Sequence, residues 1–373
     1  MKDLCLVAGT RPNFMKIAPL VRELARRSGE WRYSLVHTGQ HFDREMNDVF
    51  FEDLEIPAPD VKLDFGGATH AEQTARVMTE FEKVVRSRRP DMVIVVGDVN
   101  STLACGIVAK KEHLALAHIE AGLRSRDMSM PEEVNRIVVD AISDVFYVTE
   151  KSGVENLRRE GKPEEAIRFV GHVMIDNLMH QVEKLKRTEA SRLSSSAIKR
   201  EISDYAVLTL HRAGNVDDRA TLARLVAALE EIATALPIVF PVHPRTRNNL
   251  ERFGLRLSAR IITTAPLGYL DFLSLWKDAR IVLTDSGGIQ EESTALGVPC
   301  LTLRENTERP ITIEEGTNEL VGTDRHAIVA AARRVLAGGG KHGRRPELWD
   351  GRAAERIVQH LREYFAAQLA KAA

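Results

Sequence analysis

The architecture of this chain can be read from ten residues, Leu283-Thr284-Asp285-Ser286-Gly287-Gly288-Ile289-Gln290-Glu291-Glu292. The apolar run Arg280-Ile281-Val282-Leu283 leads into them and is typical of a buried strand. The two glycines allow the backbone to turn tightly, and the residues that follow are compatible with a helix. The stretch therefore predicts a strand that passes through a glycine-rich turn directly into a helix.

The same turn has the properties of an anion site. The first N–H groups of a helix have no partner within the helix, and they lie at the positive end of its dipole, which suits a phosphate. Glu292 lies four residues after Gly288, about one helical turn later, where a carboxylate could accept hydrogen bonds from sugar hydroxyls. The pattern alone is equally compatible with a glycine turn that serves only backbone geometry.

Composition excludes several classes of protein. The 373 residues are enough for two domains with full cores. Lys+Arg of 52 against Asp+Glu of 53 gives no basic surface for nucleic acid or membrane, so neither partner is expected. The three cysteines, at positions 5, 105 and 300, lie far apart and form no C-x-x-C pair. This argues against a disulfide framework and a cysteine zinc site, and fits a reducing compartment.

Targeting signals and bound metals are not expected either. Met1 leads straight into an apolar run without the features of a signal peptide. No run approaches the about 20 apolar residues of a membrane-spanning helix. We therefore predict a cytoplasmic protein. The sequence also contains no dinucleotide G-x-G-x-x-G fingerprint at a turn from a predicted strand into a helix and no H-E-x-x-H motif, so neither an organic cofactor nor a metal is expected.

The first half of the chain alternates apolar strands with amphipathic helices. Predicted strands include 3–8, 33–38, 92–96, 114–119 and 144–148, with a helix over residues 70–88. This alternation predicts a doubly wound parallel sheet, whose ligands bind outside the carboxyl ends of the strands. Asp98 and Glu120 each follow such an end, so we expect them to share one crevice.

Two further groups in this half are candidates for a site. Arg11 and Lys16 flank the turn after the first strand, and cations at a helix start oppose the helix dipole, which suggests contact with an anion. Pro131-Glu132-Glu133 opens a later helix, with Arg136 one turn further on. Proline at the first position and acids in the first turn are also ordinary helix-start signals, so Glu132 has a purely structural explanation as well.

The chain changes region near Gly171, and the strand–helix pattern then restarts at Tyr205. Ser-rich residues 191–196 are predicted to form a surface loop. We predict a first Rossmann-like domain over residues 1–170 and a second over 171–356, with a cleft between facing strand ends. Residues 352–369 close the chain as an amphipathic helix.

Taken together, these turns resemble the non-hydrolysing UDP-N-acetylglucosamine 2-epimerases, a two-domain family with the glycosyltransferase-B architecture. Each motif is weak alone, but the set in this order is specific. The motifs are Gly9-Thr10-Arg11-Pro12 with Lys16, Gly39-Gln40-His41, Gly97-Asp98, His118-Ile119-Glu120-Ala121-Gly122-Leu123-Arg124, Pro131-Glu132-Glu133-Val134-Asn135-Arg136, His211-Arg212, Asp285 to Glu292, Thr307-Glu308-Arg309-Pro310 and Gly316-Thr317.

The resemblance implies a role for each matching position. The groups implicated in the chemistry are Asp98, Glu120, Glu132 and His211. The positions implied to bind substrate are Arg11, Lys16, Arg136, Ser286, Gly287, Gly288, Glu292 and Arg309. Among these, the Ser-Gly-Gly turn would hold the diphosphate of UDP and Glu292 would bind the ribose. Arg11, Lys16 and Arg309 would also reach the diphosphate.

The family inverts C2 of the sugar by eliminating UDP to a 2-acetamidoglucal and adding it back. The resemblance thus implies an isomerase that interconverts UDP-N-acetylglucosamine and UDP-N-acetylmannosamine. It also implies a homodimer. Within each chain, the last segment, residues 357–373, is implied to cross back onto the first domain.

Some positions depart from the family pattern and leave more than one function open. Val96 replaces a His found in many relatives, Gly214 replaces an acid, and Gly171-His172 replaces Gly-Asn. These changes bear on sugar specificity, and some relatives act on acetamido uronic acids. Pro12-Asn13-Phe14 argues against a hydrolysing 2-epimerase. Because fold does not fix function, the sequence is also compatible with a glycosyltransferase of the same architecture and with a catalytically silent nucleotide-sugar-binding protein.

Overall fold

The computed structural model describes residues 1–39, 51–52, 54–63 and 69–372. The chain divides into two compact units, the first formed by Met1–Asn177 with Glu347–Ala373 and the second by Leu178–Pro346. Gln40 and His41, which the sequence comparison with the family used, lie outside the described residues.

The first unit contains a parallel sheet of seven strands in the order β3-β2-β1-β4-β5-β6-β7. The strands are β1 (Lys2–Ala8), β2 (Trp31–His37), β3 (Val61–Lys62), β4 (Met92–Val96), β5 (Ala115–Ile119), β6 (Val145–Val148) and β7 (Ile167–Phe169). Chain order reverses between β1 and β4, so their carboxyl ends form the switch point at which doubly wound sheets bind ligands. The predicted doubly wound sheet is confirmed.

Within the described ranges, the helices that follow these strands are α1 (Arg11–Ala25), α2 (His70–Arg88), α3 (Asn100–Lys111), α4 (Pro131–Ile142), α5 (Lys151–Arg159) and α6 (Val173–Arg187). Helix α2 shows why such boundaries can be predicted. The Thr69 hydroxyl oxygen accepts the N–H of Glu72 at 3.3 Å in a capping box, and Arg89 ends the helix in a left-handed conformation. Val77 and Phe81, spaced four apart, are fully buried.

The second unit contains a parallel sheet of six strands in the order β10-β9-β8-β11-β12-β13. These are β8 (Ala206–Thr209), β9 (Ile238–Pro241), β10 (Ile261–Thr264), β11 (Ile281–Thr284), β12 (Cys300–Thr302) and β13 (Asn318–Leu320). The helices are α7 (Ser195–Glu201), α8 (Ala213–Val216), α9 (Arg219–Ala233), α10 (Pro244–Phe253), α11 (Tyr269–Trp276), α12 (Gly287–Leu296), α13 (Pro310–Glu314) and α14 (Arg325–Arg334). Here the switch point lies between β8 and β11.

The predicted surface loop over residues 191–196 is wrong in its second half. Helix α7 begins at Ser195, and Ser195 is fully buried. The reason is a long-range contact: Oδ1 of Asp271 accepts the N–H of Ser195 at 2.9 Å and the hydroxyl of Ser194 at 3.0 Å. This carboxylate therefore holds the start of a helix that serine content alone did not predict.

The last helix, α15 (Ala353–Ala372), belongs to the first unit. Ile357, Val358 and Leu361 are fully buried in the same core as β1 and α1. The carboxylate of Asp176 on α6 accepts the N–H groups of Ala353 and Ala354 at 3.0 and 2.7 Å, and so caps the start of α15. Burial raises the pKa of Asp176 to about 6. Within the described ranges, no helix is both long and apolar enough to cross a membrane.

Candidate active site

Two turns at the carboxyl edge of the first sheet bring predicted acids together. Gly97 follows β4 with φ +70°, and Glu120 follows β5 with φ +68°. A left-handed backbone at a buried glutamate costs about 1–3 kcal/mol and persists only where its surroundings enforce it, which is typical of functional positions. A Cβ atom built on Gly97 would lie 3.4 Å from Oε2 of Glu120, so the turn before Asp98 adjoins the Glu120 carboxylate.

Glu120 has a cationic partner in the first unit. The Nζ atom of Lys16 on α1 donates to Oε2 of Glu120, and the two side chains are 12% and 3% exposed. Lys16, predicted to reach a diphosphate, therefore also compensates a buried carboxylate. Arg11 is the first residue of α1, the helix that follows the carboxyl end of β1.

Asp98 is paired with Arg136. Nη1 of Arg136 donates to Oδ2 of Asp98, and its Nη2 donates to Oε2 of Glu133 at 2.8 Å. Asn135 donates from its side chain to the carbonyl oxygen of Asp98 at 2.8 Å. One helix, α4, thus fixes both the backbone and the carboxylate of Asp98.

The two adjacent glutamates of α4 differ in environment. Glu132, the predicted catalytic acid, is exposed on the first turn, whereas Glu133 is buried. Burial by itself would raise the pKa of Glu133, but the N–H groups of Ser125 and Arg126 and the Arg136 guanidinium lower it below the ordinary value. The anchoring role of Glu133 was not predicted, because its partners lie in the preceding loop.

A buried histidine ties the two acidic turns together. Nδ1 of His118 lies 2.7 Å from Oδ1 of Asp140, and Nε2 lies 2.8 Å from the carbonyl oxygen of Gly97. Oδ2 of Asp140 also accepts the N–H of Gly122 at 3.0 Å and pairs with Arg124. Burial would raise the pKa of Asp140, but His118 and Arg124 lower it. His118 therefore bridges Asp140 and the carbonyl oxygen of Gly97, and so holds the Gly97 turn against the turn that contains Glu120.

In the second unit, the predicted His211 is oriented by Asp285. Nδ1 of His211 lies 3.0 Å from Oδ1 of the fully buried Asp285, whose carboxylate also accepts the N–H groups of His211 and Arg212. Burial would raise the pKa of Asp285, but the His211 ring and these N–H groups lower it. This arrangement leaves Nε2 of His211 as the nitrogen available to a ligand. The sequence feature that could have pointed to this role of Asp285 is its position directly after the carboxyl end of β11.

The Ser286-Gly287-Gly288 turn begins α12, as predicted, with Ser286 at the N-cap. Neither glycine has a positive φ. Among the described residues, a Cβ atom on Gly288 would meet nothing within 4 Å, and one on Gly287 would meet only Nη2 of Arg212, at 4.0 Å. Neither a positive φ nor close packing among the described residues therefore requires glycine at these two positions.

Glu292 and Arg309 are positioned by neighbours in the same unit. Oε1 of Glu292 accepts the hydroxyl of Tyr269 at 2.6 Å. Nε of Arg309 lies 2.7 Å from Oε1 of Glu291. Burial and the charge of Glu291 raise the pKa of Glu292 to about 7, and the hydrogen bond from Tyr269 partly offsets that rise.

Gln290 connects the glycine turn with the segment that carries Arg309. Its Nε2 donates to the carbonyl oxygen of Ser286 at 3.2 Å, and its Oε1 accepts the hydroxyl of Thr307 at 2.6 Å. The Thr307 oxygen in turn accepts the N–H of Arg309 at 3.0 Å.

Across the described part of the chain, no group of three or more His, Cys, Asp or Glu side chains could hold a metal ion.

Two doubly wound parallel sheets, with Asp98 and Glu120 at the carboxyl edge of one and a glycine turn at a helix start in the other, define an α/β protein of two Rossmann-like domains. The family model described as UDP-N-acetylglucosamine 2-epimerase matches residues 22–362. The chain therefore belongs to the UDP-N-acetylglucosamine 2-epimerase family and is an epimerase. The resemblance drawn from the motifs is confirmed.

Individual relatives agree with this assignment. The chain is 40% identical over 364 residues to the UDP-N-acetylglucosamine 2-epimerase of Methanocaldococcus jannaschii, covering 96% of this chain and 98% of that protein. It is 41% identical over 369 residues to the UDP-2,3-diacetamido-2,3-dideoxy-D-glucuronate 2-epimerase of Pseudomonas aeruginosa, covering 97% and 99%.

A solved structure of the M. jannaschii enzyme in complex with UDP-GlcNAc and UDP superposes with a TM-score of 0.82 at 39% identity. The match covers 97% of this chain and 99% of that one. The predicted fold class, with the glycosyltransferase-B type of domain, is thus confirmed.

Proposed function

We propose that this chain interconverts UDP-N-acetylglucosamine and UDP-N-acetylmannosamine by inverting C2. The observation that carries the proposal is the buried Glu120, held in a left-handed conformation beside the turn that bears Asp98. Carboxylates at adjoining strand ends are the groups that removal and return of a C2 proton require. The names of the archaeal relatives support the same activity.

UDP would be bound by the second unit. The N–H groups at the start of α12 suit the diphosphate, because they lie at the positive end of the helix and, among the described residues, a Cβ atom on either glycine would meet no atom closer than 4.0 Å. The guanidinium of Arg309 would contact the negatively charged diphosphate, and the carboxylate of Glu292 would accept hydrogen bonds from the ribose hydroxyls. Arg11 and Lys16 of the first unit are the other cations that we propose to contact the diphosphate.

The first chemical step would be elimination. The C2–H bond breaks as a carboxylate takes the proton, the C1–O bond breaks, and the electron pair of the C2–H bond becomes the C1=C2 bond of 2-acetamidoglucal. UDP leaves with the electrons of the C1–O bond. Because the C2 hydrogen is weakly acidic, stabilisation of the departing diphosphate by cations and N–H groups would be the main contribution to catalysis.

The return step would invert the centre. A protonated group on the opposite face of the glucal gives a proton to C2, and a UDP oxygen adds to C1. Four side chains are candidates for these proton transfers: Asp98, Glu120, Glu132 and His211. Arg136 would hold Asp98, and Asp285 would hold His211, in the orientation that transfer needs.

A diacetamido uronic acid sugar nucleotide is a second candidate substrate. The observation that favours it is the 41% identity to the P. aeruginosa uronate epimerase, which matches the identity to the archaeal enzymes. Val96 and His172 depart from the family pattern at positions that the sequence linked with sugar specificity.

Product analysis separates the candidates. The chain is incubated with each of the two UDP-sugars, and products are identified by NMR. A UDP-linked C2 epimer from UDP-N-acetylglucosamine supports the proposal, and turnover of the uronate alone supports the second candidate. Free N-acetylmannosamine with UDP would indicate a hydrolysing enzyme, acceptor-dependent turnover a glycosyltransferase, and no turnover a silent binding protein.

We also propose that the chain works as a cytoplasmic homodimer without an added cofactor. The support is the resemblance to the family. Light scattering after size exclusion tests the dimer, cell fractionation tests the location, and turnover by dialysed protein in the presence of EDTA tests the cofactor requirement. A monomeric active form, a membrane fraction or dependence on an added factor would contradict the respective statement.

A further inference from the structure

Tyr269 and Glu292 form a hydrogen bond between two helices of the second unit. The Tyr269 hydroxyl donates to Oε1 of Glu292 at 2.6 Å, and Glu292 is 3% exposed. Tyr269 is the first residue of α11, and Glu292 lies in the second turn of α12. The bond therefore fixes the end of a nearly buried carboxylate from a separate helix.

The Glu292 carboxylate depends on this one contact. Within the described ranges, Tyr269 is the residue that hydrogen-bonds to its side chain, whereas the neighbouring Glu291 is paired with Arg309. A buried carboxylate without a partner would lose its ordered position and its charge. A tyrosine hydroxyl has one hydrogen to donate, so it occupies a single acceptor position on Oε1 and leaves the remaining lone pairs of Glu292 for other donors.

We propose that Tyr269 is a positioning residue for the nucleoside: its hydroxyl holds Glu292 so that the free carboxylate oxygen accepts the ribose hydroxyls of a uridine diphosphate. This inference rests on the proposed function, in which Glu292 binds the ribose. It adds a residue outside the motif that contains the glycine turn. Tyr269 itself does not take part in the chemistry; it acts through Glu292.

The test compares two conservative substitutions. Y269F removes one hydroxyl and keeps the ring, so the packing of α11 is retained. Y205F is the matched control, because Tyr205 is buried in the same unit and its hydroxyl donates to the carbonyl oxygen of Leu275 at 2.9 Å. Both variants lose one internal hydrogen bond from a tyrosine, but only Y269F loses the contact with Glu292. Thermal unfolding confirms that both are folded.

Binding is measured by calorimetry with UDP and with 2′,3′-dideoxyuridine 5′-diphosphate, which lacks both ribose hydroxyls. We expect Y269F to weaken UDP binding by roughly 10-fold and to reduce the preference for UDP over the dideoxy ligand by at least 5-fold. The preference of Y205F should equal that of the wild type. In an E292Q background, Y269F should change UDP binding by less than about 2-fold, because Tyr269 acts through that carboxylate.

The outcomes separate this inference from the proposed function. If the wild type binds UDP and prefers it to the dideoxy ligand, but Y269F keeps the full preference, the inference is wrong and the proposed function stands. If the wild type does not bind UDP, the proposed function is wrong and the role of Tyr269 falls with it. An equal loss for both ligands in Y269F would show a general structural effect and would also overturn the inference.

Discussion

Lys16 and Glu120 form an ion pair at the carboxyl edge of the first sheet, where both side chains are largely buried. Lys16 comes from α1 and Glu120 from the turn after β5, so the pair joins the two halves of the sheet at its switch point. Glu120 also has an unfavourable left-handed backbone. A buried charge on a strained residue is unfavourable for stability, and the proposed catalytic role of Glu120 rests on this observation.

E120Q tests the catalytic assignment. We expect this variant to lower kcat by about 10²–10⁴-fold, because the amide cannot exchange a proton with C2. The Kd for UDP should change by less than about 3-fold. E30Q is the control, since Glu30 is an exposed residue paired with Arg362. Near-normal turnover of E120Q would remove Glu120 from the mechanism.

H118Q tests the positioning of the two acidic turns. The glutamine amide cannot donate to both the carbonyl oxygen of Gly97 and the Asp140 carboxylate from opposite ends, so the turns should separate and kcat should fall by about 10²-fold. UDP affinity should change little, since most of the proposed UDP contacts lie in the second unit and His118 is not one of them. H360Q is a matched control at another buried histidine of the first unit, next to Tyr147. Equal effects of H118Q and H360Q on kcat would contradict this role.

Ribose recognition should depend on pH. Burial and the charge of Glu291 raise the pKa of Glu292 to about 7, while the hydroxyl of Tyr269 on α11 lowers it. Glu291 itself is paired with Arg309. Only the ionised carboxylate accepts hydrogen bonds with both oxygens, so the preference for UDP over the dideoxy ligand should rise about 10-fold from pH 6 to pH 8. Phosphate titration is common to both ligands and cancels. A preference independent of pH would contradict the role of Glu292.

Asp176 should make the stability of the first unit depend on pH. Its folded pKa of about 6 lies above the ordinary value of 3.8, so the folded chain binds this proton more tightly. The stabilising contribution is fully present below about pH 4 and is lost as the pH rises through 6. Wild-type stability should therefore fall by roughly 1 kcal/mol more than that of D176N between pH 5 and pH 7.5, as measured by urea unfolding. Parallel pH profiles would contradict this.

The fold was predictable because its signals are local. Strand β4 has the predicted bounds and is buried along its whole length, and the capping box at Thr69 marks the start of α2. Alternating strands and helices then restrict the topology to a doubly wound sheet. The start of α7 was missed because Asp271, distant in sequence, fixes it.

For the candidate site, the sequence predicted where Asp98 and Glu120 lie in the sheet, but it did not predict which side chains contact the candidate residues. Placing Asp98 and Glu120 at strand ends follows from the geometry of parallel sheets. The contacts of Lys16 with Glu120, of His118 with Asp140 and of Tyr269 with Glu292 are long-range pairs that leave no periodic signal in the sequence. The different exposure of Glu132 and Glu133 likewise depends on the loop before α4.

Turnover in D₂O tests the central claim most directly. If C2 is inverted by elimination and re-addition, then the UDP-linked epimer formed from UDP-N-acetylglucosamine carries deuterium at C2, and NMR detects loss of the C2 proton signal. E120Q should show no exchange, and E30Q should exchange at the wild-type rate. Formation of the epimer with its C2 proton fully retained would contradict the mechanism.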